Sequence, residues 1–225
     1  MQEKLLKKTY DFAQDFHKSD TSGHDFEHIK RVYANACLLM EDTPKVNVFI
    51  LKMSALLHDI DDRKLNTDGQ NALRFLQSLN LEQSMIDTIL STIESISFSK
   101  GLDNPQLETI EMKLLYDADK LDALGAIGIC RTIMFGTSSQ KPLFDENIFP
   151  KENLSKEDYK NMERKENHSI NHFFDKLLKL KDTMQTETGQ KEGLNRHNFM
   201  VDFLQHFFQE QNLNEWQDYL KNYLK

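Results

Sequence analysis

The stretch LKMSALLHDIDDRK, residues Leu51 to Lys64, decides the fold because an apolar helical run ends within it on a histidine and a carboxylate. Apolar residues lie nearly all round this run, a pattern typical of a central helix. His58 and Asp59 close the run, and two further acids follow them. Imidazole nitrogen and carboxylate oxygen together form a donor set that suits first-row divalent metals. On position alone, a surface helix with solvated end residues explains the pair equally well.

The bulk composition excludes several classes of function. The chain has 225 residues, 39% of them hydrophobic, and we predict one domain with a single core. Its formal charge of -8 disfavours nucleic-acid binding, because affinity for phosphate backbones comes mainly from Lys and Arg. The N-terminus lacks the apolar core of a signal peptide, and no run approaches the roughly 18 residues of a membrane span. Cys37 and Cys130 are predicted to be small core residues in a cytoplasmic protein.

Helical spacing of apolar residues recurs along the chain and predicts an all-α fold of about ten helices. We predict helices over residues 2–17, 25–41, 46–59, 68–79, 82–95, 107–135, 156–184, 187–210 and 214–223. Residues 97–105 are predicted to form a loop, and residues 136–155, which have no periodicity, a flexible insertion. The aromatic side chains near the C-terminus are expected to form intramolecular core, and they are Phe199, Phe203, Phe207, Phe208, Trp216, Tyr219 and Tyr223.

Three carboxylates lie within six positions of the predicted helix 107–135, in the segment YDADKLDALGAIGI. Acids embedded in a helix that also packs apolar residues are costly unless a positive group compensates them. A metal ion is one such group, and a solvated acidic stripe is the alternative. Asp119 is the best placed for a metal, Asp122 lies one turn away and can hold a neighbouring group, and Asp117 is expected to face elsewhere.

Two histidine pairs have the four-residue spacing that is common in metal sites. His24 and His28 flank the start of the second predicted helix, but a pair alone does not close a site. His168 and His172 have no neighbouring acid pair, so we predict a structural role for them, with a substrate-facing role as the alternative.

Three segments in this order resemble the HD-domain metal-dependent phosphohydrolases. They are HDFEHIKRV (His24 to Val32), ALLHDIDDRK (Ala55 to Lys64) and DADKLDALGAIGI (Asp117 to Ile129). The C-terminal segments NHSINHFFDKLLKLKDTM and RHNFMVDFLQHFF are similar to a small bacterial subgroup of the family. The resemblance implies one compact HD-type domain over residues 1–225, with a metal-binding core at about 20–135 and helices at about 156–225 completing the pocket.

The resemblance also implies roles for individual residues. The metal ligands would be His28, His58, Asp59 and Asp119, holding one divalent ion of Mn, Mg, Co, Ni or Fe. Asp62 occupies the position of a carboxylate that handles the attacking water in several relatives, although some of them carry the longer Glu there. Arg31 is expected to support an acid, and Asp61 and Asp122 at most to hold ligands in place. The candidates for contact with substrate are His24, Lys64, Lys120 and Arg196.

The bacterial subgroup includes enzymes that cleave deoxynucleoside triphosphates into a monophosphate and pyrophosphate, and the resemblance implies this reaction first. Another nucleotide phosphomonoesterase or phosphodiesterase would use the same ligands, because the surrounding pocket selects the substrate. A non-catalytic, metal-stabilised nucleotide-binding or regulatory module is the alternative from a different class. The expected partner is a small-molecule nucleotide, with neither nucleic acid nor membrane, and the oligomeric state stays open, a homodimer included.

Overall fold

The computed structural model describes residues 1–18, 25–62, 68–99, 107–150 and 167–224. These residues form helices and no strand, which confirms the all-α prediction. The α-helices of the described ranges are α1 (Gln2–His17), α2 (Phe26–Met40), α3 (Val48–Leu57), α4 (Asn71–Ser78), α5 (Gln83–Ser99), α6 (Ile110–Leu121), α7 (Gly125–Ser138), α8 (Asn171–Asp175), α9 (Glu187–Glu210) and α10 (Asn214–Leu220). Two 3-10 helices span Leu177–Thr183 and Lys221–Tyr223.

The chain groups into two compact units. The first comprises Met1–Asp122 together with Met184–Gly189, and the second Ala123–Thr183 together with Gln190–Lys225. The single domain, the metal-binding core at about 20–135 and the completion of its pocket by residues 156–225 therefore stay predictions.

Helix α3 lies at the centre of the first unit. Helices α1, α2, α5 and α6 all pack against it. All its side chains except those of Val48 and Lys52 are buried, because nearly the whole segment is apolar. Each large side chain of this kind stabilises the fold by about 1.5–3 kcal/mol when it leaves water. Whatever follows α3 is consequently placed in the interior of the unit.

Helix α3 ends at Leu57, two residues earlier than predicted, and His58 and Asp59 lie in the turn that follows. The backbone N–H of Ile60 donates to the carbonyl of Leu57 at 3.1 Å, so the last turn tightens. Ile60 is fully buried and draws the turn back into the core. The two polar residues are therefore fixed by apolar packing on both sides of them in sequence.

The single helix predicted over 107–135 is wrong, because the segment forms α6 and α7 with a break between them. Gly125 begins α7 with φ +69°, a backbone conformation that residues with a side chain rarely adopt. Asp122 consequently lies at a helix end. Ile127 on α7 is 41% exposed, and Cys130, predicted to be a core residue, is exposed on the same helix. Cys37 is half-buried.

The predicted flexible insertion is also wrong for residues 139–150, which are held by hydrogen bonds within the second unit. The indole N–H of Trp216 donates to the carbonyl of Glu146 at 3.0 Å. The Nε2–H of His168 donates to the carbonyl of Ile148 at 2.9 Å. Trp216 and His168 are distant in sequence from residues 139–150. Local periodicity therefore could not indicate that this segment is anchored.

The aromatic residues near the C-terminus do form intramolecular core, with one exception. Trp216 and Phe208 are buried, and Phe149 stacks on Trp216 with ring centroids 4.3 Å apart. Phe199 is 53% exposed, so its predicted burial is wrong.

A predicted helix and a predicted loop lie partly outside the described residues. Of the predicted helix 156–184, residues 156–166 lie outside, and the remainder contains α8 and a 3-10 helix instead of one long helix. Of the predicted loop 97–105, residues 97–99 belong to α5 and the others lie outside. Within the described ranges, no helix combines the length and the apolar character needed to cross a membrane.

Candidate metal centre

Four side chains from three parts of the first unit converge on one point. His28 lies on α2, His58 and Asp59 follow α3, and Asp119 lies on α6. The Nε2 atom of His28 is 3.3 Å from Nε2 of His58, 3.3 Å from Oδ2 of Asp59 and 3.6 Å from Oδ1 of Asp119. Nε2 of His58 is 3.5 Å from the same oxygen of Asp59.

Burial of these side chains makes their proximity costly unless a cation compensates them. The exposed fraction of the side chain is 5% for His28, 0% for His58 and 1% for Asp59. Carboxylates taken out of water are stable only when a positive group pairs with them. Asp119, at 14%, is the most exposed of the four, so solvent reaches the set at this residue.

Hydrogen bonds fix which nitrogen of each imidazole faces the set. Nδ1 of His58 is 2.9 Å from the carbonyl of Ala55, and a carbonyl only accepts, so Nδ1 carries the proton. Nδ1 of His28 is 2.7 Å from Oδ2 of Asp122 and donates to it in the same way. In the neutral form each ring therefore directs the Nε2 lone pair at the centre, which is the state that binds a metal.

Arg31 supports the carboxylate that orients His28. Its Nε and Nη2 atoms both donate to Asp122, the latter to Oδ2 at 3.2 Å. Asp122 is buried, so the guanidinium compensates a charge that water does not reach. This confirms the expectation that Arg31 supports an acid and that Asp122 holds a neighbouring group.

The electrostatic field at the set is strongly negative. Burial by itself lowers the pKa of His28, but hydrogen bonds to Asp122 and Asp59 and the charge of Asp119 outweigh it and raise the pKa to about 9. Burial lowers the pKa of His58. For Asp119, burial raises the pKa, but Lys120 and the two histidines outweigh burial and lower it. The carboxylates therefore favour a positive charge at this place, either a proton on His28 or a cation.

The residues present fit a divalent metal ion. His28, His58 and Asp119 each offer one ligand atom, and these atoms lie within 4.8 Å of one another. With Asp59 they form a set of two nitrogens and two carboxylates, which is suited to divalent transition metals and leaves about two positions free on an octahedral ion.

Comparison with known proteins identifies the family. The family model described as HD domain matches residues 25–124, a range that includes all four converging residues. YpgQ of Bacillus subtilis is 31% identical over 198 residues, which cover 86% of this chain and 87% of YpgQ. The crystal structure of an HD-superfamily hydrolase from Bacillus thuringiensis is 34% identical, with a TM-score of 0.75 over 94% of this chain and 99% of that one. The chain belongs to the HD superfamily.

The solved relative is a hydrolase of this superfamily, and HD domains bind divalent metals. Membership therefore identifies the chain as a metal-dependent phosphohydrolase. A further solved structure is that of YpgQ in complex with ADP. It superimposes with a TM-score of 0.70 at 26% identity, over 93% of this chain and 96% of that one.

The structure places the other candidate residues of this HD protein in different surroundings. The ammonium of Lys120 is 3.6 Å from Oδ2 of Asp119 and 4.9 Å from the ring centroid of Tyr116. Asp62 follows the doublet in the same turn, and its backbone N–H donates to the carbonyl of Asp59 at 3.1 Å. Lys120 therefore borders the converging set, and Asp62 is continuous with it in sequence.

The remaining substrate candidates are Arg196, His24 and Lys64. Arg196 belongs to the second unit, where its Nε donates to Glu192 at 2.7 Å. His24 and Lys64 lie outside the described residues.

Asp61, which follows the His58–Asp59 pair, has a structural role. Asp61 accepts the backbone N–H groups of Asn71 at 3.0 Å and Ala72 at 2.9 Å and so caps α4. The helix predicted to begin at residue 68 begins at Asn71 instead, and Asp68 accepts from the backbone N–H of Gln70. An acceptor ten residues away in sequence gives no local capping signal.

Asp117 faces away from the converging set, as expected. Its two oxygens accept the backbone N–H groups of Gln185 at 2.8 Å and Thr186 at 2.9 Å. The hydroxyl of Thr186 also donates to it at 2.6 Å. Asp117 thus fastens the segment Met184–Gly189 to the first unit.

Sequence reasoning missed Asn35, which helps to position α6. Its Nδ2 donates at 3.0 Å to the carbonyl of Ala118, the residue before Asp119. Asn35 is buried on α2. The available signal was that Asn35, a polar residue, occupies an inward position in the apolar pattern of α2.

The prediction of a structural role for His168 is confirmed. Its Nε2–H donates to Ile148, and its Nδ1 accepts the backbone N–H of Asn171 at 3.1 Å. Both ring nitrogens are therefore engaged within the second unit.

Proposed function

We propose that the chain hydrolyses deoxynucleoside triphosphates between the α- and β-phosphates, releasing a nucleoside monophosphate and pyrophosphate. In this proposal His28, His58, Asp59 and Asp119 hold one divalent ion. The observation that carries it is the convergence of three buried side chains and the partly exposed Asp119, with both Nε2 atoms directed inward. A nucleotide substrate is supported by the structure of YpgQ in complex with ADP.

When bound, a divalent ion lowers the pKa of a coordinated water and polarises a phosphoryl oxygen, which suits hydrolysis of a phosphoanhydride. The ion is proposed to be Mn²⁺ first, with Mg²⁺, Co²⁺, Ni²⁺ and Fe²⁺ as alternatives. Two imidazole ligands support this order, because Mg²⁺ prefers oxygen ligands whereas transition metals accept nitrogen.

The chain's own residues keep this donor set ready for the ion. Asp122 and Arg31 hold the ring of His28, and the carbonyl of Ala55 holds that of His58. Lys120 favours the ionised form of Asp119. A rigid set loses little conformational freedom on binding, which favours both affinity and geometry.

Asp62 is proposed to accept a proton from the attacking water, as general base. It follows Asp59 by three residues in one turn, so the geometry of the doublet constrains where its backbone lies. Lys120, beside Asp119 and only 17% exposed, is proposed to contact a phosphate. His24, Lys64 and Arg196 remain proposed substrate contacts.

Product analysis tests the proposal. The chelated protein is supplied with Mn²⁺ and offered deoxynucleoside and ribonucleoside triphosphates, monophosphates and cyclic nucleotides. We expect equimolar pyrophosphate and monophosphate from one or more deoxynucleoside triphosphates. His58→Ala and Asp59→Ala should abolish turnover, whereas His206→Ala, at an exposed histidine of α9, should retain it.

Other product patterns overturn the assigned reaction in distinct ways. Inorganic phosphate from monophosphates would indicate a phosphomonoesterase, and hydrolysis of cyclic nucleotides would indicate a phosphodiesterase. Metal binding without turnover of any nucleotide would indicate a non-catalytic binding module.

A further inference from the structure

Helix α6 ends at Leu121, on the same turn that carries Asp119. The last carbonyl groups of an α-helix have no N–H partner within the helix and need a donor from elsewhere. The backbone N–H of Asp122, which would reach Ala118 in a longer helix, donates to the carbonyl of Asp119 at 3.1 Å, so the turn tightens. Ala118 is fully buried, and water therefore does not reach its carbonyl.

Asn35 supplies the donor that the carbonyl of Ala118 needs. Its Nδ2 donates to this oxygen at 3.0 Å, and Asn35 is itself 7% exposed. The donor comes from another helix, α2, across 83 residues of sequence. A buried acceptor that loses its donor is costly, so without this amide the last turn of α6 would be favoured to shift toward another donor.

Three side chains on one face of α2 hold this turn. His28, Arg31 and Asn35 follow one another at spacings of three and four residues, which places them on the same face of a helix. The first two bond to the carboxylate of Asp122, and the third bonds to the backbone of Ala118. The turn is therefore held at both of its ends, and Asp119 lies between them.

The peptide between Ala118 and Asp119 connects Asn35 to the metal centre. A peptide unit is planar, so the carbonyl oxygen of Ala118 lies in one rigid plane with the Cα atom of Asp119. A hydrogen bond that fixes this oxygen consequently fixes where the side chain of Asp119 begins and in which direction it leaves α6.

Asp119 depends on its backbone more than the other three converging residues do. The rings of His28 and His58 are oriented by hydrogen bonds, and the side chain of Asp59 is 1% exposed. The side chain of Asp119 is 14% exposed, and its ion pair with Lys120 is 3.6 Å long, which is beyond hydrogen-bond distance. The backbone of α6 is thus the main constraint on this carboxylate.

We propose that Asn35 is a positioning residue of the metal centre, which places the carboxylate of Asp119 through the carbonyl of Ala118. This role rests on the proposed function only in that Asp119 is a metal ligand. It is the same for any reaction that the bound ion supports.

Metal binding by the full chain tests the role. Titration calorimetry of the chelated protein with Mn²⁺ gives the affinity, and visible absorption of the Co²⁺-loaded protein reports the arrangement of ligands around the ion. Asn35→Leu removes the amide at nearly constant size, and Asn35→Ala removes it without placing a bulky group there. The matched control is Thr9→Val, at a fully buried residue of α1 whose hydroxyl donates to the carbonyl of Leu5.

We expect both Asn35 variants to bind Mn²⁺ about tenfold more weakly than the parent chain, or weaker still, and to change the Co²⁺ absorption. Thr9→Val should unfold at a lower urea concentration than the parent, as the Asn35 variants do, but its Mn²⁺ affinity and Co²⁺ absorption should be unchanged. In an Asp119→Ala background, Asn35→Leu should cause no further loss of affinity, because its effect passes through Asp119.

Two results would overturn the positioning role. One is unchanged Mn²⁺ affinity and Co²⁺ absorption in both Asn35 variants, and the other is an equal loss of affinity from Asn35→Leu with and without Asp119. Failure of the proposed reaction would look different, because the parent chain would bind Mn²⁺ and release no pyrophosphate while the effect of Asn35→Leu on affinity remained. A parent chain that binds no Mn²⁺ would overturn the ligand set and the role of Asn35 together.

Discussion

The Nδ1–H of His28 donates to Oδ2 of Asp122 at 2.7 Å, so a carboxylate beside the converging set determines which nitrogen of the ring enters it. Asp122 also receives two hydrogen bonds from Arg31. The orientation of one proposed metal ligand therefore depends on residues that do not face the ion.

Asp122→Asn is expected to weaken Mn²⁺ binding by roughly 10- to 100-fold, the usual cost of losing such a supporting partner. The amide keeps the size of the side chain but loses the charge that stabilises the Nδ1–H of His28. Titration calorimetry of the chelated protein measures the change. Asp218→Asn, at an exposed aspartate of α10, is the control. Equal affinities in the two variants would contradict the supporting role.

Asp117→Ala is expected to destabilise the fold by about 3 kcal/mol or more, because it removes three hydrogen bonds to a carboxylate and leaves buried donors behind. Those donors are the backbone N–H groups of Gln185 and Thr186 and the hydroxyl of Thr186. Urea unfolding measures the free energy. A decrease in the free energy of unfolding no larger than that of an ordinary surface substitution would contradict the role of these hydrogen bonds.

Gly189→Ala examines the same contact from the other side. A methyl group at this position would collide with Oδ2 of Asp117, so we expect a destabilisation of about 1–3 kcal/mol. In the double variant Asp117→Ala with Gly189→Ala the collision is relieved, and the two losses should not add. Additive losses would show that the two residues act independently.

The stability of the second unit is expected to depend on pH through His168. Burial lowers the pKa of this residue to about 4 from an ordinary value of 6.5. Between these values the unfolded chain binds a proton that the folded chain does not, so the contribution to stability is complete above pH 6.5 and declines as the pH falls toward 4.

Unfolding free energies measured between pH 4 and 6.5 check this dependence. The slope of the unfolding free energy against pH should be shallower in His168→Gln than in the parent chain. The difference should be at most the slope that one bound proton contributes. His206→Gln, which removes an exposed histidine, is the reference variant. Parallel slopes for His168→Gln and the parent would exclude His168 as the source.

Trp216→Phe is expected to cost about 1 kcal/mol from the hydrogen bond that the indole donates to Glu146, in addition to the loss of ring packing. Trp216 is the single tryptophan of the chain and is 1% exposed, so the parent should show blue-shifted emission and weak quenching by acrylamide. Emission typical of an exposed indole would contradict the anchoring of residues 139–150.

Local sequence patterns predicted most of the first unit because its helices bury one continuous apolar face. Helix α1 was predicted to span residues 2–17, as observed, and α2 was correct to within one residue at either end. Helix α9, most of which lies in the second unit, was also predicted with the observed bounds. The four converging residues were predicted by motif. Their meeting depends on the packing of α2, α3 and α6, which the order of the motifs implied but did not establish.

Features governed by distant contacts were not predictable in the same way. The break before α7 depends on a positive φ at Gly125, which a helical pattern of apolar residues conceals. Residues 139–150 lack periodicity, yet Trp216 and His168 hold them from elsewhere in the second unit.

The most direct measurement of the metal centre is anomalous diffraction from crystals of the chain grown with Mn²⁺. One peak is predicted, at about 2 Å from the Nε2 atoms of His28 and His58 and from a carboxylate oxygen of Asp59 and of Asp119. A peak at another place, or a bound ion from which any of these four side chains points away, would contradict the ligand set on which the proposed reaction depends.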